Sequence, residues 1–192
     1  MRFDTRAGFL ATAALLVLAA AAHAAFEVTP AIQAELERHK TLIAGWAADP
    51  VIVRMVVEQN TKGPVPGMDN AQWKVVRRSD ALVKAFQSNP AGQFLRTKME
   101  ASKGLITEAF LSGARGEKVA FAEKTTWYIH KGMEKFDVPF NTRKSWQGKP
   151  EFDESAQTYQ IQISVPVLAD AQPIGALVVG VSLSQLEKLT KK

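Results

Sequence analysis

Between Lys124 and Phe136 the chain gathers side chains suited to holding a small molecule rather than transforming one. Trp127 and Tyr128 offer ring faces and a phenol hydroxyl, and His130 and Lys135 could meet a carboxylate through charge-assisted hydrogen bonds. Aromatic walls with a few convergent polar groups are the usual ingredients of a ligand pocket. The same two aromatics would serve equally well as packing beneath a covering loop, and the residue types alone leave both readings open. His130 also titrates near neutrality, which allows a pH response.

Other chemistry finds little support. No G-x-S-x-G elbow, Walker loop or H-E-x-x-H pair occurs, and the chain has no cysteine. Beyond His23 the histidines are His39 and His130, with no His-x-x-x-His spacing, so neither a metal nor another cofactor is expected. Glu151, Asp153 and Glu154 cluster as acids, but a glycosidase needs carboxylates on opposite sides of a cleft, which sequence neighbours seldom manage. A solvated turn is the better reading, with Asp153 or Ser155 bonding to backbone groups nearby. A non-enzyme is expected.

Those residues must be positioned by a domain that stands without disulfides. Met1 to Arg6 carries two arginines ahead of an apolar run from Gly8 to Ala22, and Ala22-His23-Ala24 is an A-x-A site. That order reads as a secretory signal over residues 1–24, too short for a comfortable membrane span. Residues 25–192 then form one exported, periplasmic domain. The 24 Lys and Arg outnumber the 19 Asp and Glu, for a net charge of +5. The excess is dispersed, without a basic stripe interleaved with aromatics, so nucleic acid is not an expected partner.

Thr29-Pro30 and Asp49-Pro50 each read as a cap followed by proline at the first helical position. Ile32, Leu36, Ile43 and Trp46, then Ile52, Met55 and Val56, make a long N-terminal helix interrupted near Pro50. Gly63, Pro64, Pro66 and Gly67 mark a loop. Asp69 to Gln72 resembles a capping box opening a helix that carries Trp73, Val76, Leu82, Val83 and Phe86, and Asn89-Pro90 opens another, ending at Gly104. Two strand pairs follow: Leu105 to Leu111 with Val119 to Ala122, and Thr158 to Leu168 with Ile174 to Leu183. Glu151 to Asp153 could add a short edge strand, and Ser184 is the expected cap of a final helical turn. Pro166 implies an edge position or bulge, and Gly175 and Gly180 imply close approach, by a helix in preference to a ligand. Helices first and antiparallel strands after them define an α+β domain.

The segments Gly116-Glu117-Lys118-Val119-Ala120 with Lys124-Thr125-Thr126-Trp127-Tyr128, Phe152-Asp153-Glu154-Ser155, and Ile163-Ser164-Val165-Pro166-Val167 with Ile174 to Val181 resemble the single Cache domains, PAS-like extracytoplasmic sensors. The resemblance covers residues 27–189. It implies a five-stranded antiparallel sheet with a long N-terminal helix and further helices packed on one face, and a ligand held against the sheet beneath the loop after the second strand. It places Lys124, Trp127, Tyr128, His130, Lys135 and Asp153 as the candidate ligand-binding residues. In the family that loop reads Lys-Thr-Ser-Asp-Tyr-Trp-Gln-Gly-Asp-Glu, then Lys-Phe. Lys124, Thr125, Tyr128, Lys135 and Phe136 fit, while Trp127, Ile129, Gly132 and Met133 depart and remove acidic groups. The implied function is a stand-alone sensor binding a small organic ligand, an anionic one being favoured by the lost acidic groups, and signalling through a membrane-bound signalling or transport protein. The competing expectation is a ligand-free adaptor that forms a homodimer or docks through its N-terminal helix.

Overall fold

The computed structural model describes residues 26–153 and 157–191. The signal segment expected over residues 1–24, and Glu154 and Ser155 of the acidic turn, lie outside the described residues.

Proline sets the helical half. In α1 (Pro30–Ala47), α2 (Pro50–Lys62) and α5 (Pro90–Ala101) a proline occupies the first turn, and Thr29, Asp49 and Asn89 each accept a backbone N–H through the side chain. The long helix is therefore broken at Asp49-Pro50, as its sequence predicts. The expected helix from Asp69 to Phe86 is instead two, α3 (Asn70–Val75) and α4 (Ala81–Ser88). Val76 leaves the helical region with ψ 125°, and Asp80 supplies a fresh cap to Leu82 N–H. A second N-cap inside the window ends one helix and starts another.

The strands are β1 (Ile106–Gly113), β2 (Lys118–Phe121), β3 (Trp146–Gln147), β4 (Glu151–Asp153), β5 (Thr158–Ala169) and β6 (Gln172–Ser182). Every pairing is antiparallel and the order is β2-β1-β6-β5-β3, with β4 also on β5. The expected edge strand Glu151 to Asp153 is β4, and β3 beside it makes the sheet six-stranded where five strands are expected. Two further helices complete the chain, α6 (Glu134–Thr142) and α7 (Leu183–Thr190). Ser182, not Ser184, caps α7, because its hydroxyl accepts Gln185 N–H at 3.2 Å. Pro166 sits where β5 has β6 on one side and neither β3 nor β4 opposite it, the edge position its missing N–H requires.

Alternation along the strands gives the sheet two faces. Ala109 and Leu111 of β1, Leu177, Val179 and Val181 of β6, and Ile161, Ile163, Val165 and Val167 of β5 join Ile32, Leu36, Ile43, Ile52, Val56, Leu95 and Leu186 in the main core. This face is closed: Gly175 comes so near Ser112 and Val56 of α2 that a Cβ would have no room. The other face carries Phe110, Phe121 and Val178, covered at one end by Trp73, Val83, Phe86 and Tyr128. It is this second face that holds the chemistry.

Candidate functional site

The loop after β2 is fixed to the second face from two directions. Lys118 N–H donates to Tyr128 O at 3.0 Å, and His130 N–H to Gly116 O at 2.8 Å, so residues 128–130 run back along the start of β2. Gly116, at φ 80°, approaches Lys131 so closely that a side chain could not fit. From α3, Asn70 Oδ1 accepts the N–H groups of Tyr128 and Ile129 at 2.9 and 2.8 Å, while its Nδ2 donates to Ile129 O at 3.1 Å. Trp73 Nε1 donates to Thr125 O at 2.8 Å. The loop is backbone held by one asparagine and one indole, neither of which the family pattern marks.

The six candidate residues fall into three places. Tyr128 is fully buried, its ring against Trp73 and Phe86 at 5.6 and 6.2 Å, and its hydroxyl accepts Val65 N–H at 2.9 Å. Trp127 lies half-buried on the outer side with the Lys74 ammonium 4.5 Å above its ring. The two rings thus meet different neighbours, Tyr128 inside the aromatic cluster and Trp127 outside it.

Lys124 and Asp153, by contrast, come together on one cleft of about 600 Å³, whose other walls include Thr125 and Thr126 of the loop and Thr107, Glu108 and Gln160 of the sheet. Lys124 Nζ donates to Trp73 O at 3.1 Å and lies 4.5 Å over the same indole ring. Burial and the charge of Arg78 lower its pKa. A register shift between Ile106 and Glu108 lets the adjacent Thr107 and Glu108 both line this cleft, since a bulge re-aims side chains. Gly180 lies beneath these sheet residues: a Cβ there would meet Thr107, Gln160 and Glu108. The glycine thus makes room beneath polar side chains, not beneath a helix as the sequence suggests. Thr107 donates to Gln160, and Gln162 to Glu108, so the sheet wall is an ordered amide and carboxylate network.

His130 and Lys135 belong to a third place, deeper on the same face. His130 is 1 % exposed and its ring lies 4.6 Å from that of Phe110. Lys118, fully buried, sets its Nζ 3.1 Å from the centroid of the same Phe110 ring. Burial holds the His130 pKa far below the usual histidine range, with the charges of Lys118 and half-buried Lys135 pushing the same way. Burial likewise holds Lys118 well below the ordinary lysine range, with Lys135 adding to the effect and Glu108 opposing it. Among the described residues no group partners Lys118 Nζ, His130 Nδ1, Ser112 Oγ or Ser164 Oγ, all of them buried. Sequence reasoning missed Lys118, Ser112, Ser164 and Glu108. Their signal was present as polar residues at inward strand positions, legible only once the register assigns the faces.

Among the described residues no cluster of three metal-ligating side chains occurs, and no helix is long and apolar enough to cross a membrane.

No family model matches the chain and no curated protein matches it. Similar solved structures include the ligand-binding domain of the Pseudomonas fluorescens chemoreceptor CtaA in complex with L-leucine, at 16% identity over 81% of this chain and 53% of that one, with TM-score 0.47. A second is the ligand-binding domain of the Pseudomonas aeruginosa amino acid chemoreceptor PctC in complex with GABA, at 16% identity over 82% and 58%, TM-score 0.45. A third is the sensor domain of the V. cholerae histidine kinase DctB, at 17% identity over 83% and 60%, TM-score 0.42. The chain spans less than two thirds of the length of these three structures. Its own strand order and pairing make it an α+β domain with the antiparallel sheet that the Cache resemblance implies.

Proposed function

We propose that this chain is an exported, periplasmic, non-enzymatic sensor module that binds a small organic molecule and passes its state to a separate membrane-bound signalling or transport protein. The observation that carries the reading is the cleft that Lys124 and Asp153 share with Thr107, Glu108 and Gln160 of the sheet. One face of the sheet is packed with aliphatic side chains, whereas the other keeps hydrogen-bonded polar side chains above Gly180 and walls supplied by two candidate residues, Lys124 and Asp153. A pocket of this size and mixed polarity suits a metabolite. Lys124 is tied to Trp73 of α3, so a ligand that engages its ammonium biases the loop and α3 together, which is what a binding-driven switch needs.

The test is a thermal-shift screen of the purified protein against organic acids, amino acids and nucleobases, since a ligand of the native state raises its melting temperature. A hit weakened about tenfold by Lys124→Met or Asp153→Asn, the scale of a lost charged hydrogen bond, supports the cleft. A screen without hits ends the sensor reading. Export is tested separately by mass spectrometry of the periplasmic fraction, where a mature start near Ala25 is expected.

One observation favours the adaptor as a second reading. Leu42 of α1 is 49 % exposed and borders an apolar groove with Trp46 and Leu105. Self-association in sedimentation that Leu42→Glu abolishes, with no ligand hits, would support it.

A further inference from the structure

Basic residues that lie dispersed along the sequence are gathered by the fold around Arg78 and Lys124. A groove of about 350 Å³ is lined by Lys74 near the end of α3, Arg78 of the α3–α4 turn, and Lys124, Thr125 and Thr126 of the loop. A second, of about 540 Å³, shares Arg78 and Lys124 and continues to Lys84 of α4 and Arg96 of α5. Five bases thus follow one track, against two acids, Glu100 and Glu123. Glu108 and Asp153 line the cleft already described and neither of these grooves. No strand residue lines either groove, so the track is built on helices and loop and not against the sheet.

Four of the five bases are held by neighbours. Lys74 Nζ lies 4.5 Å over the Trp127 ring, and Lys124 Nζ lies 4.5 Å over that of Trp73. Arg96 Nη2 donates to Gln87 O at 3.4 Å, and Arg78 meets Glu123 at 3.5 Å. A ring face leaves ammonium N–H donors able to bond elsewhere, and side chains already ordered lose less entropy when a partner engages them. The contact of Arg78 with Glu123 is the one ion pair that any of the five makes among the described residues. Most of the positive charge is therefore uncompensated, and like charges gathered in this way favour an incoming anion.

The occupant that fits is an extended chain with carboxylates at intervals. Bases spread along two joined grooves can each meet one carboxylate through charge-assisted hydrogen bonds. The Thr125 hydroxyl donates to Trp127 O and can still accept from a peptide N–H, and the Thr126 hydroxyl can do the same. A polyphosphate has no amide donor for these acceptors. A bilayer is too flat to enter grooves, and exposed Val75, beside Lys74, is a single apolar side chain where insertion needs an apolar face.

We propose that Lys74, Arg78, Lys84, Arg96 and Lys124 form the docking surface for an extended acidic segment of a partner protein. This deepens the sensor reading, which calls for a separate membrane-bound partner, and rests on it. Lys124 belongs both to this track and to the ligand cleft. A ligand that draws its ammonium into the cleft takes one charge from the docking surface, so ligand and partner compete for one lysine and each weakens the other.

Fluorescence anisotropy of labelled hexaglutamate on the purified protein, with hexaglutamine as the neutral control, measures docking. Hexaglutamate should bind and hexaglutamine should not, with affinity falling about tenfold between about 50 and 300 mM salt. Arg78→Gln together with Arg96→Gln, both exposed, should weaken binding about tenfold at an unchanged melting temperature. Lys62→Gln together with Lys188→Gln removes the same net charge from residues that line neither groove, and should leave affinity within about twofold. No binding of hexaglutamate, no effect of the arginine pair, or equal weakening by both pairs would each overturn the proposal. Phosphatidylglycerol vesicles or polyphosphate held more tightly than hexaglutamate through Arg78 and Arg96 would overturn the peptide assignment. The sensor reading is judged separately: thermal-shift hits weakened by Asp153→Asn without hexaglutamate docking would keep the sensor and end the docking surface.

Discussion

Asn70 Oδ1 accepts the backbone N–H of Tyr128 at 2.9 Å, and this one side chain, at the start of a six-residue helix, fixes the path of the loop that covers the sheet. The same oxygen takes Ile129 N–H, and the amide nitrogen returns a bond to Ile129 O. Asn70→Ala leaves two backbone donors and one acceptor without their partners in a part-buried place. The expected cost is about 2–3 kcal/mol, seen as a lower urea midpoint at unchanged slope. A loss within the ordinary surface range would mean that Trp73, through Thr125, holds the loop alone.

The Tyr128 hydroxyl is committed to Val65 N–H, and its ring is enclosed by Trp73 and Phe86. Burial raises its pKa. Tyr128→Phe should therefore cost about 1 kcal/mol of stability and leave ligand affinity unchanged. Comparing melting temperature and affinity in the same variant separates the two roles, and a weakened ligand at unchanged stability would put the hydroxyl in the site.

How far the sequence carries depends on whether a signal is local. The Thr29-Pro30, Asp49-Pro50 and Asn89-Pro90 starts are legible because cap and proline act within one turn, and both hairpins are legible from alternation and turn residues. The α3–α4 break is not, because Val76 and Val83, seven residues apart, keep a helical spacing across a segment that leaves the helix. Helix α6 is hidden by Pro139 inside it, although Pro139 and Phe136 are buried against the sheet. Lys124 and Asp153 are legible as site candidates, but that they share a cleft follows from β4 pairing with β5 and the bulge in β1. Lys118 could not be singled out beforehand. A lysine at a strand's first residue reads as solvated until its face is known.

The β5–β6 turn offers a stability test remote from any ligand. Asp170 and Ala171 both have positive φ, 49° and 61°, the two-residue geometry that favours glycine at its second position. Alanine pays a steric penalty there that glycine escapes. Ala171→Gly should raise stability by about 0.5–1 kcal/mol after the added freedom of the unfolded chain is deducted. A thermal melt that falls would mean that the native turn is not left-handed at Ala171.

His130 gives stability a sign with pH. Its folded-state pKa is held far below the unfolded value of about 6.5, by burial first and then by Lys118 and Lys135. Below that unfolded value the unfolded chain binds a proton that the native state refuses, so stability is complete above about pH 6.5 and falls as the solution is acidified, by about 1.4 kcal/mol per pH unit for this group. Urea titrations of the protein between neutral and mildly acid pH should show that slope. His130→Phe, which keeps an aromatic ring against Phe110, should flatten it, and an equal slope in the variant would trace the acid sensitivity to other groups.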